Sequence, residues 1–568
     1  MEFDTRMNIF LLLDYHIYYG EEKSFIDAQE LIKNIPSSTL LNYISGFGVN
    51  LYLSEFAEDT GKIQFSLVDS LLGKCGKIAQ AKWVSVIESE QENKNTPIMF
   101  WSYSNLLFYG LIFKTFNNLD TRDLTEKEAQ KVFDAYLIIN GIANNRVEVK
   151  TDEFQKAIES DKIEDVTMPS FIYQRDYTST TDFSNQLIRG IKFFQYLENN
   201  PKYEKLVQNY YQSKNISGHL RMFRNLLILF TETKIGNDLV QKCQLANLYN
   251  YDIANEVDLK FIETLCINAE ITNYKADQSF GILRNKFLYK INKYMFLILD
   301  INFLIDQLYK AQVFSFNNFL KSKGEKVDFL AEKGKEFTES IFLKDVLEAC
   351  FPHYVTYYGD YCKNSNNEEL CDAYIRENSK ICLIEFKDVL LNATAKNSAD
   401  KETLLAEFNK KFIANQTNRP KGITQLINAI KDIESNSILF DKSIPPKDIE
   451  IYPVIIYTDL SFGVEGVNKK FKEKFRIEIT KLNIEHLVIK DVTFINLNFF
   501  ELREDYFSHK FMNLFTMIDE YHLHTTESNY LLTPFEVFSR FYMRNHVPQN
   551  LGQTTTYKEL LATVIAAK

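Results

Sequence analysis

The sequence predicts a mixed α/β protein, with a mostly helical region over residues 1–325 followed by a mixed sheet flanked by helices. A chain of 568 residues exceeds what one hydrophobic core organises, so two or three domains are expected. Apolar residues recur at three- and four-residue spacings in stretches such as Leu226–Phe230 and Phe287–Leu308, a pattern typical of amphipathic helices. After residue 330 the order becomes helix, three strands, helix and strand, which implies a sheet covered by helices.

The charged, glycine-containing run Lys321–Lys326 marks the predicted boundary between the two regions. We therefore expect a helical region over 1–325, an α/β domain over 326–500, and a helical segment over 501–568 that packs on the α/β domain. The role of the first region is left open between sensing, protein interaction and DNA binding.

The elements of the α/β domain follow from changes in periodicity. Phe337–Cys350 is predicted to be an amphipathic helix that ends near Pro352. The later elements are predicted as strands Tyr354–Tyr361, Leu370–Arg376 and Ile381–Lys387, helices Lys401–Phe412 and Lys421–Ile433, and a buried strand Ile451–Tyr457.

The composition is that of an ordinary globular protein, with 45% hydrophobic and 25% charged residues. A net charge of −11 means that any DNA-binding surface is expected to be a local patch. Seven cysteines without a repeated spacing favour reduced thiols over a disulfide framework. The start Met1–Asp4 lacks the basic segment of a signal peptide, and the apolar stretch Leu106–Phe113 is too short to span a bilayer. A cytoplasmic protein without membrane contact is expected.

Two predicted strands form a hairpin that turns at Asn378-Ser379. If Glu377 pairs with Lys380, the same register places Asp372 opposite Glu385, with β-carbons roughly 5 Å apart. Facing carboxylates are destabilising unless a cation or a shared proton relieves them. Lys387 lies two residues after Glu385 and therefore projects from the same face of its strand. Two carboxylates and a lysine are thus predicted to converge.

This convergence has a chemical and a structural interpretation. Mg²⁺ or Mn²⁺ takes carboxylate oxygens and keeps several waters, and Asp372 and Glu385 offer such ligands. A bound metal polarises a phosphoryl oxygen and acidifies a water, while Lys387 orients that water. The alternative is a buried Glu–Lys ion pair or a solvated strand end.

The residues Asp372-Ala373-Tyr374-Ile375, followed after a turn by Leu383-Ile384-Glu385-Phe386-Lys387, resemble the signature of PD-(D/E)XK nucleases, the restriction-endonuclease-like superfamily. The resemblance implies that Asp372 and Glu385 bind a divalent metal and that Lys387 assists the attacking water. Cys371 stands where the signature has its proline. The resemblance covers roughly residues 330–500.

Two further residues enter through the same resemblance. Many members place a Gln on the helix after the third core strand, and Gln425 in Lys421–Leu426 occupies the similar position, which implies a catalytic or substrate-contacting role. The first core helix often carries a Gly-x-x-Phe-Glu pattern, and here Thr338 stands where that Glu is expected. Glu339 is the predicted substitute as a metal ligand, and Glu336 is the alternative.

Other motifs favour structural interpretations. Cys350, His353, Cys362 and Cys371 match no standard zinc spacing, so buried thiols are expected. His522 and His524 point in different directions on a helix. The run Arg540–His546 fits the loose Arg-to-His spacing of HEPN ribonucleases, but an aromatic helix that packs on the core is favoured. The basic run Lys469–Arg476 is read as a solvated amphipathic face, with tracking of a phosphate backbone as the alternative.

We therefore expect an Mg²⁺- or Mn²⁺-dependent nuclease that hydrolyses DNA, with RNA and oligomer formation not excluded. By analogy with similar nucleases, and with a composition typical of an A/T-rich bacterial genome, an anti-phage defence effector is expected. Two alternatives stay open. The domain is a catalytically silent DNA-binding or scaffolding module, or the helical region is a sensor that binds a protein trigger and makes the nuclease output conditional.

Overall fold

The computed structural model describes residues 10–54, 60–92, 96–145, 151–178, 181–235, 248–250, 258–277, 279–292, 295–398, 400–435, 440–444, 448–547 and 553–567. The segment Met1–Asp4, interpreted above for targeting, lies outside these residues. The protein is mixed α/β, with a helical N-terminal region and a mixed sheet of six strands. None of the helices in the described ranges is long and apolar enough to span a bilayer.

The chain divides into two compact units. The helical unit comprises Asn8–Glu148, Tyr177–Glu325 and Leu560–Lys568, and the sheet unit comprises Val149–Asp176 and Lys326–Glu559. The helices of the helical unit are Tyr15–Tyr19, Phe25–Ile32, Ser37–Ser54, Thr60–Leu72, Lys77–Glu92, Ser102–Lys114, Glu126–Asn144, Phe183–Asn199, Glu204–Ser213, His219–Ile235, Leu259–Thr264, Gly281–Asn285, Ile301–Asp306 and Lys310–Ser322.

Short strands accompany these helices. Strands β1 (Phe10–Leu12) and β2 (Thr96–Ile98) pair in parallel, and β3 (Leu248–Asn250), β4 (Leu288–Lys290) and β5 (Met295–Ile298) form an antiparallel sheet in the order β3-β5-β4. The prediction of a continuous helical pattern over Phe287–Leu308 is therefore wrong. Its first half is the β4–β5 hairpin, because Phe, Leu, Tyr and Ile also suit a half-buried strand, and only its second half, Ile301–Asp306, is α-helical.

The six-stranded sheet of the sheet unit consists of β6 (Val355–Tyr358), β7 (Ala373–Glu377), β8 (Lys380–Lys387), β9 (Ile449–Tyr457), β10 (Leu487–Ile489) and β11 (Thr493–Asn496). The order is β10-β9-β8-β7-β6, with β11 also paired to β9. β6, β7 and β8 are antiparallel, whereas β9 is parallel to β8. The predicted order of helix, three strands, helix and strand is confirmed, while β10 and β11 are additional strands.

The helices of the sheet unit surround this sheet. They are Thr151–Glu159, Glu164–Thr178, Phe329–Glu332, Lys344–Cys350, Ala393–Ser398, Lys401–Phe412, Ile423–Glu434, Val467–Ile479, Leu497–Glu501, Glu504–Ser508, Leu514–His524 and Phe535–His546, together with a π-helix over Lys333–Leu343. The last helix, Thr555–Ala566, begins in the sheet unit and is assigned to the helical unit from Leu560 onward. Side-chain caps fix several starts. Asp400, for example, accepts the backbone N–H of Thr403 at the start of Lys401–Phe412.

β8 is covered on both faces, as its unbroken apolar run predicts. On one face Ile381 and Leu383 join a buried cluster with Leu404, Phe408 and Leu426 of the crossover helices. The opposite face of the sheet is covered in part by Leu514–His524, whose Phe515 ring lies 4.9 Å from that of Tyr452. The side chains of β8 are therefore shielded from solvent up to the point where the strand ends.

The observed units differ from the predicted domains at two places. One division lies between Glu325 and Lys326, where the sequence predicts it, but Val149–Asp176 belongs to the sheet unit. Met168 and Ile172 join the buried cluster of the sheet, which explains this placement. Leu560–Lys568 belongs to the helical unit, where Arg224 donates to the carbonyl of Ala567, rather than to the segment 501–568.

A buried ion pair ties Glu164–Thr178 to the rest of its unit. Glu164 is fully buried, and Lys469 Nζ lies 3.1 Å from its carboxylate. We expect Lys469→Ala to destabilise the sheet unit by about 3–5 kcal/mol, because an uncompensated buried charge is costly. Amide hydrogen exchange of peptides from the sheet unit, followed at increasing denaturant concentration, measures this loss.

Lys470→Ala is the matched control. It removes the partner of Asp165 at 2.7 Å, but Lys401 remains 2.9 Å from the same carboxylate. A clearly smaller loss of stability is expected. Equal losses for the two variants contradict the assignment of Glu164–Lys469 as the pair that fastens this helix.

Candidate active site

The end of β8 places two charged side chains on a buried face. Glu385 and Lys387 continue the alternation of Ile381 and Leu383, so all four project toward the crossover helices. Glu385 is 1% exposed, and its Oε2 lies 2.8 Å from Lys387 Nζ. The predicted convergence of these two residues is present as a buried, hydrogen-bonded pair.

The predicted hairpin register is confirmed, but it ends one residue short of Asp372. The ladder runs from Glu377–Lys380 to Ala373–Ile384. Beyond it, the backbone N–H of Asp372 donates to the carbonyl of Ile384 at 3.0 Å. The Asp372 carboxylate then accepts the backbone N–H of Phe386 at 2.5 Å. Asp372 therefore continues the pairing of the two strands through a side-chain hydrogen bond instead of forming a regular ladder pair with Glu385.

Gln425 contacts Lys387 from the neighbouring helix Ile423–Glu434. Its Oε1 accepts from Lys387 Nζ at 3.3 Å and from the backbone N–H of Gly422 at 2.8 Å. The second bond caps the first turn of the helix. One side-chain oxygen thus fixes both the start of the helix and the lysine.

Gly422 makes this arrangement sterically feasible. Its φ is +44°, in the region that glycine tolerates best. A β-carbon there would lie 3.1 Å from the backbone of Phe412 and 3.4 Å from Ile455. Glycine therefore lets the helix start close against both Lys401–Phe412 and the sheet.

The first helix contributes Glu339, from a π-helix over Lys333–Leu343. Thr338, which stands where the family pattern has Glu, is buried and donates to the carbonyl of Lys333 at 3.3 Å. Glu339 instead has a carboxylate oxygen in a cluster with Asp372. Glu336 is exposed and is not part of that cluster among the described residues. Of the two predicted substitutes, Glu339 is the one that the structure brings to Asp372.

A buried ion pair joins this π-helix to the end of β8. Asp388, directly after Lys387, accepts from Lys333 Nζ at 2.6 Å and from Thr458 Oγ1 at 2.8 Å. Lys333 is buried, and burial disfavours an unpaired charge at either group. The pair therefore holds the helix that carries Glu339 against the strand that carries Lys387.

Glu369 completes the acidic cluster and was not among the predicted residues. One carboxylate oxygen each of Glu339, Glu369 and Asp372 lies within 4.8 Å of the others. Glu369 belongs to the loop between β6 and β7, where an isolated bridge joins it to Lys363. Its only sequence signal is the Glu-x-x-Asp spacing to Asp372, which is too common to single it out.

The charges of this centre shift one another's pKa values. Burial raises the pKa of Glu385 to about 8, and the carboxylate of Asp372 adds to the rise. Burial also raises the pKa of Glu339 to about 7, with Asp372 and Glu369 adding to it. Burial alone lowers the pKa of Lys387, but Glu385, Asp372 and Glu339 outweigh it and raise the value. Lys387 is therefore a cation at neutral pH beside carboxylates that repel one another.

The donor set suits a hard divalent cation. Three carboxylates within 4.8 Å offer the oxygen ligands that Mg²⁺ and Mn²⁺ prefer. Their repulsion is relieved by either protons or a metal. Glu385 lies outside this triad and is engaged by Lys387, so its predicted role as a metal ligand stays a prediction.

The remaining sequence candidates have structural surroundings. Cys350, Cys362 and Cys371 are buried free thiols, while His353 is exposed. Within the described ranges, the cluster of Glu339, Glu369 and Asp372 is the one group of His, Cys and acidic residues spaced to hold a metal.

The histidines near the C-terminus do not form a site. His522 Nε2 lies 2.8 Å from Thr493 Oγ1, and burial lowers the pKa of His522 to about 4. His524 instead stacks on Tyr530. Arg540 and His546 are both exposed and lie six residues apart on an α-helix, about 240° around its axis. They do not share a face, which disfavours the HEPN interpretation.

The basic helix Val467–Ile479 has most of its cations engaged inside the sheet unit. Lys469 pairs with Glu164, Lys470 with Asp165, and Arg476 with Asp491. Lys474 donates to Asn409 at 2.6 Å. These bonds favour a structural role for the helix over the alternative of tracking a phosphate backbone.

Comparison with models of protein families, with curated proteins and with solved structures found no match for this chain.

The raised pKa of Glu339 predicts how stability depends on pH without metal. Between the ordinary value of 4.5 and about 7, the folded state binds more protons at Glu339 than the unfolded state does. Stability therefore falls as pH rises through this window. Glu339→Gln lacks this loss, so we expect its Tm to exceed that of the wild type above pH 7 and to match it below pH 4.5. Calorimetry in EDTA across this pH range measures the difference.

Glu336→Gln is the control, since Glu336 is exposed three residues earlier on the same helix. Its Tm is expected to follow the wild-type pH profile. A Glu339→Gln variant that is no more stable than the wild type at pH 8 contradicts the repulsion described above.

Proposed function

We propose that the sheet unit is a restriction-endonuclease-like domain that hydrolyses DNA phosphodiester bonds with Mg²⁺ or Mn²⁺. The topology supports this fold, since an antiparallel β6-β7-β8 meander is followed by helices and then by β9 parallel to β8. Asp372 directly precedes β7, and Glu385 and Lys387 end β8, in the order of the PD-(D/E)XK signature. The resemblance noted in the sequence and the topology therefore support the same family.

One observation carries the proposal. Lys387 Nζ lies 2.8 Å from Glu385 and 3.3 Å from Gln425, beside a triad of carboxylates that reach within 4.8 Å of one another. A solvated strand end does not explain a glutamate that is 1% exposed. An isolated Glu–Lys pair does not explain three further carboxylates that gather at the same end of the sheet. Perturbed titratable groups collected in this way are typical of active sites.

The residues of the centre have separate proposed roles in hydrolysis. Glu339, Glu369 and Asp372 would hold the cation, with Glu385 as a further proposed ligand. A bound divalent cation supplies polarisation of a phosphoryl oxygen and acidification of a water. Lys387, held by Glu385 and Gln425, orients the attacking water and offsets negative charge that develops on the phosphate. The water oxygen bonds to phosphorus and the water gives up one proton to solvent, while the bond from phosphorus to the leaving sugar oxygen breaks and that oxygen takes up a proton from solvent.

The decisive variant is Lys387→Ala. We expect it to lower plasmid cleavage by at least ~100-fold, because it removes the group that orients water. DNA affinity is expected to persist, since many phosphate contacts set it. Asp372→Ala, Glu369→Ala and Glu339→Ala are expected to lose cleavage and also to weaken metal binding. Cleavage over a Mg²⁺ or Mn²⁺ titration, with DNA binding and thermal melting of each variant, measures these effects.

Lys380→Ala is the matched control, because Lys380 is at the opposite end of the same strand. It is expected to cleave like the wild type. If the wild type cleaves and folded Lys387→Ala cleaves equally well, the catalytic centre lies elsewhere.

A further inference from the structure

A tight hairpin connects Lys401–Phe412 to the Gln425 helix. Lys421 N–H donates to the carbonyl of Ile413 at 2.9 Å, and Asn415 N–H donates to the carbonyl of Arg419 at 3.0 Å. An antiparallel bridge between Ala414 and Pro420 lies between these bonds. We refer to this segment, residues 413–421, as the 413–421 hairpin.

Its turn is braced by one side chain. Asn415 Oδ1 accepts from the backbone N–H of Thr417 at 3.0 Å, from its hydroxyl at 2.9 Å, and from the N–H of Arg419 at 2.9 Å. Asn418 adopts a φ of +57°, which asparagine tolerates. The hairpin therefore has a defined shape even though its tip, residues 416–420, is exposed.

The side chains of the hairpin alternate between its two faces. Arg419 and Lys421 are two residues apart on an extended arm, so their side chains project from the same face. Their α-carbons are about 6.7 Å apart. That spacing is comparable to the distance between successive phosphates of one nucleic-acid strand. Pro420 projects from the other face.

This face adjoins the candidate active site. Lys421 immediately precedes Gly422, whose N–H binds the same Gln425 oxygen that holds Lys387. The Lys421 ammonium is also among the groups that oppose the burial-driven rise in the pKa of Asp372. The two cations thus lie on an arm that leads away from the catalytic residues.

These cations are available for a ligand. Neither Arg419 nor Lys421 forms an ion pair within the part of the chain that the structure describes. The basic helix Val467–Ile479, by contrast, has Lys469, Lys470 and Arg476 already paired. A chain with a net charge of −11 and an acidic centre needs a local cationic surface to hold a polyanion.

We propose that Arg419 and Lys421 bind successive phosphates of the DNA strand that enters the active site. This inference rests on the proposed function and names the surface by which that function recognises its substrate. The contacts are to the backbone, so they position the strand without reading its sequence.

The test measures the salt dependence of DNA binding in a Lys387→Ala background, which leaves the DNA intact. A short labelled duplex is titrated at several salt concentrations. The slope of log K against log salt is negative, and each lost phosphate contact lowers its magnitude by about 0.9. We expect Arg419→Ala/Lys421→Ala to lower the magnitude of this slope by about 1.8 and the affinity by roughly tenfold. Arg419→Lys/Lys421→Arg is expected to retain the slope.

Arg540→Ala is the control, since Arg540 is exposed on another helix of the same unit. Its slope is expected to equal that of the parent. An unchanged slope in the folded Arg419→Ala/Lys421→Ala variant overturns the inference, and wild-type cleavage then still supports the proposed function. If the parent binds no DNA and the wild type does not cleave it, the proposed function fails and the inference fails with it.

Discussion

The candidate centre depends on a lysine ammonium that is held between a strand end and the helix that carries Gln425. Glu385 is buried deeply enough that its charged form costs several kcal/mol without a partner. Lys387 supplies that partner at 2.8 Å, and Gln425 fixes the ammonium from the adjacent helix. The short approach of that helix depends in turn on Gly422. The electrostatics of the pair and the packing of the crossover therefore support each other.

The carboxylates of the centre are held in place by contacts with residues outside the carboxylate cluster. Three mutually repelling carboxylates gain nothing from proximity in the metal-free protein. The amide of Phe386 binds Asp372, and the Lys333–Asp388 pair fastens the helix that carries Glu339. These contacts therefore offset the repulsion among the three carboxylates of the cluster.

The pattern of apolar and polar residues predicted the β7–β8 hairpin, because the polar turn at Asn378-Ser379 lies between two apolar strands. The resemblance to the nuclease signature indicated Gln425. Side-chain closure at Asp372 and the loop position of Glu369 could not be predicted, since both depend on contacts between segments that are distant in sequence. For the same reason the sequence did not predict that Val149–Asp176 belongs to the sheet unit. Its place there depends on partners some three hundred residues away. The periodicity over Phe287–Leu308 was ambiguous, because short apolar runs suit either a strand or a helix.

The geometry of the π-helix over Lys333–Leu343 determines whether Glu339 reaches the acidic cluster. A π-helix bonds each residue to the fifth along the chain rather than the fourth, so it accommodates one more residue per turn than the neighbouring α-helix. In ordinary α geometry the six steps from Lys333 to Glu339 would turn the chain about 100° further around the helix axis, because an α-helix has fewer residues per turn than a π-helix. The glutamate would remain in the sequence and yet leave the carboxylate cluster. A change that converts this segment to α geometry is therefore equivalent to loss of a proposed metal ligand, although every side chain of the cluster is retained.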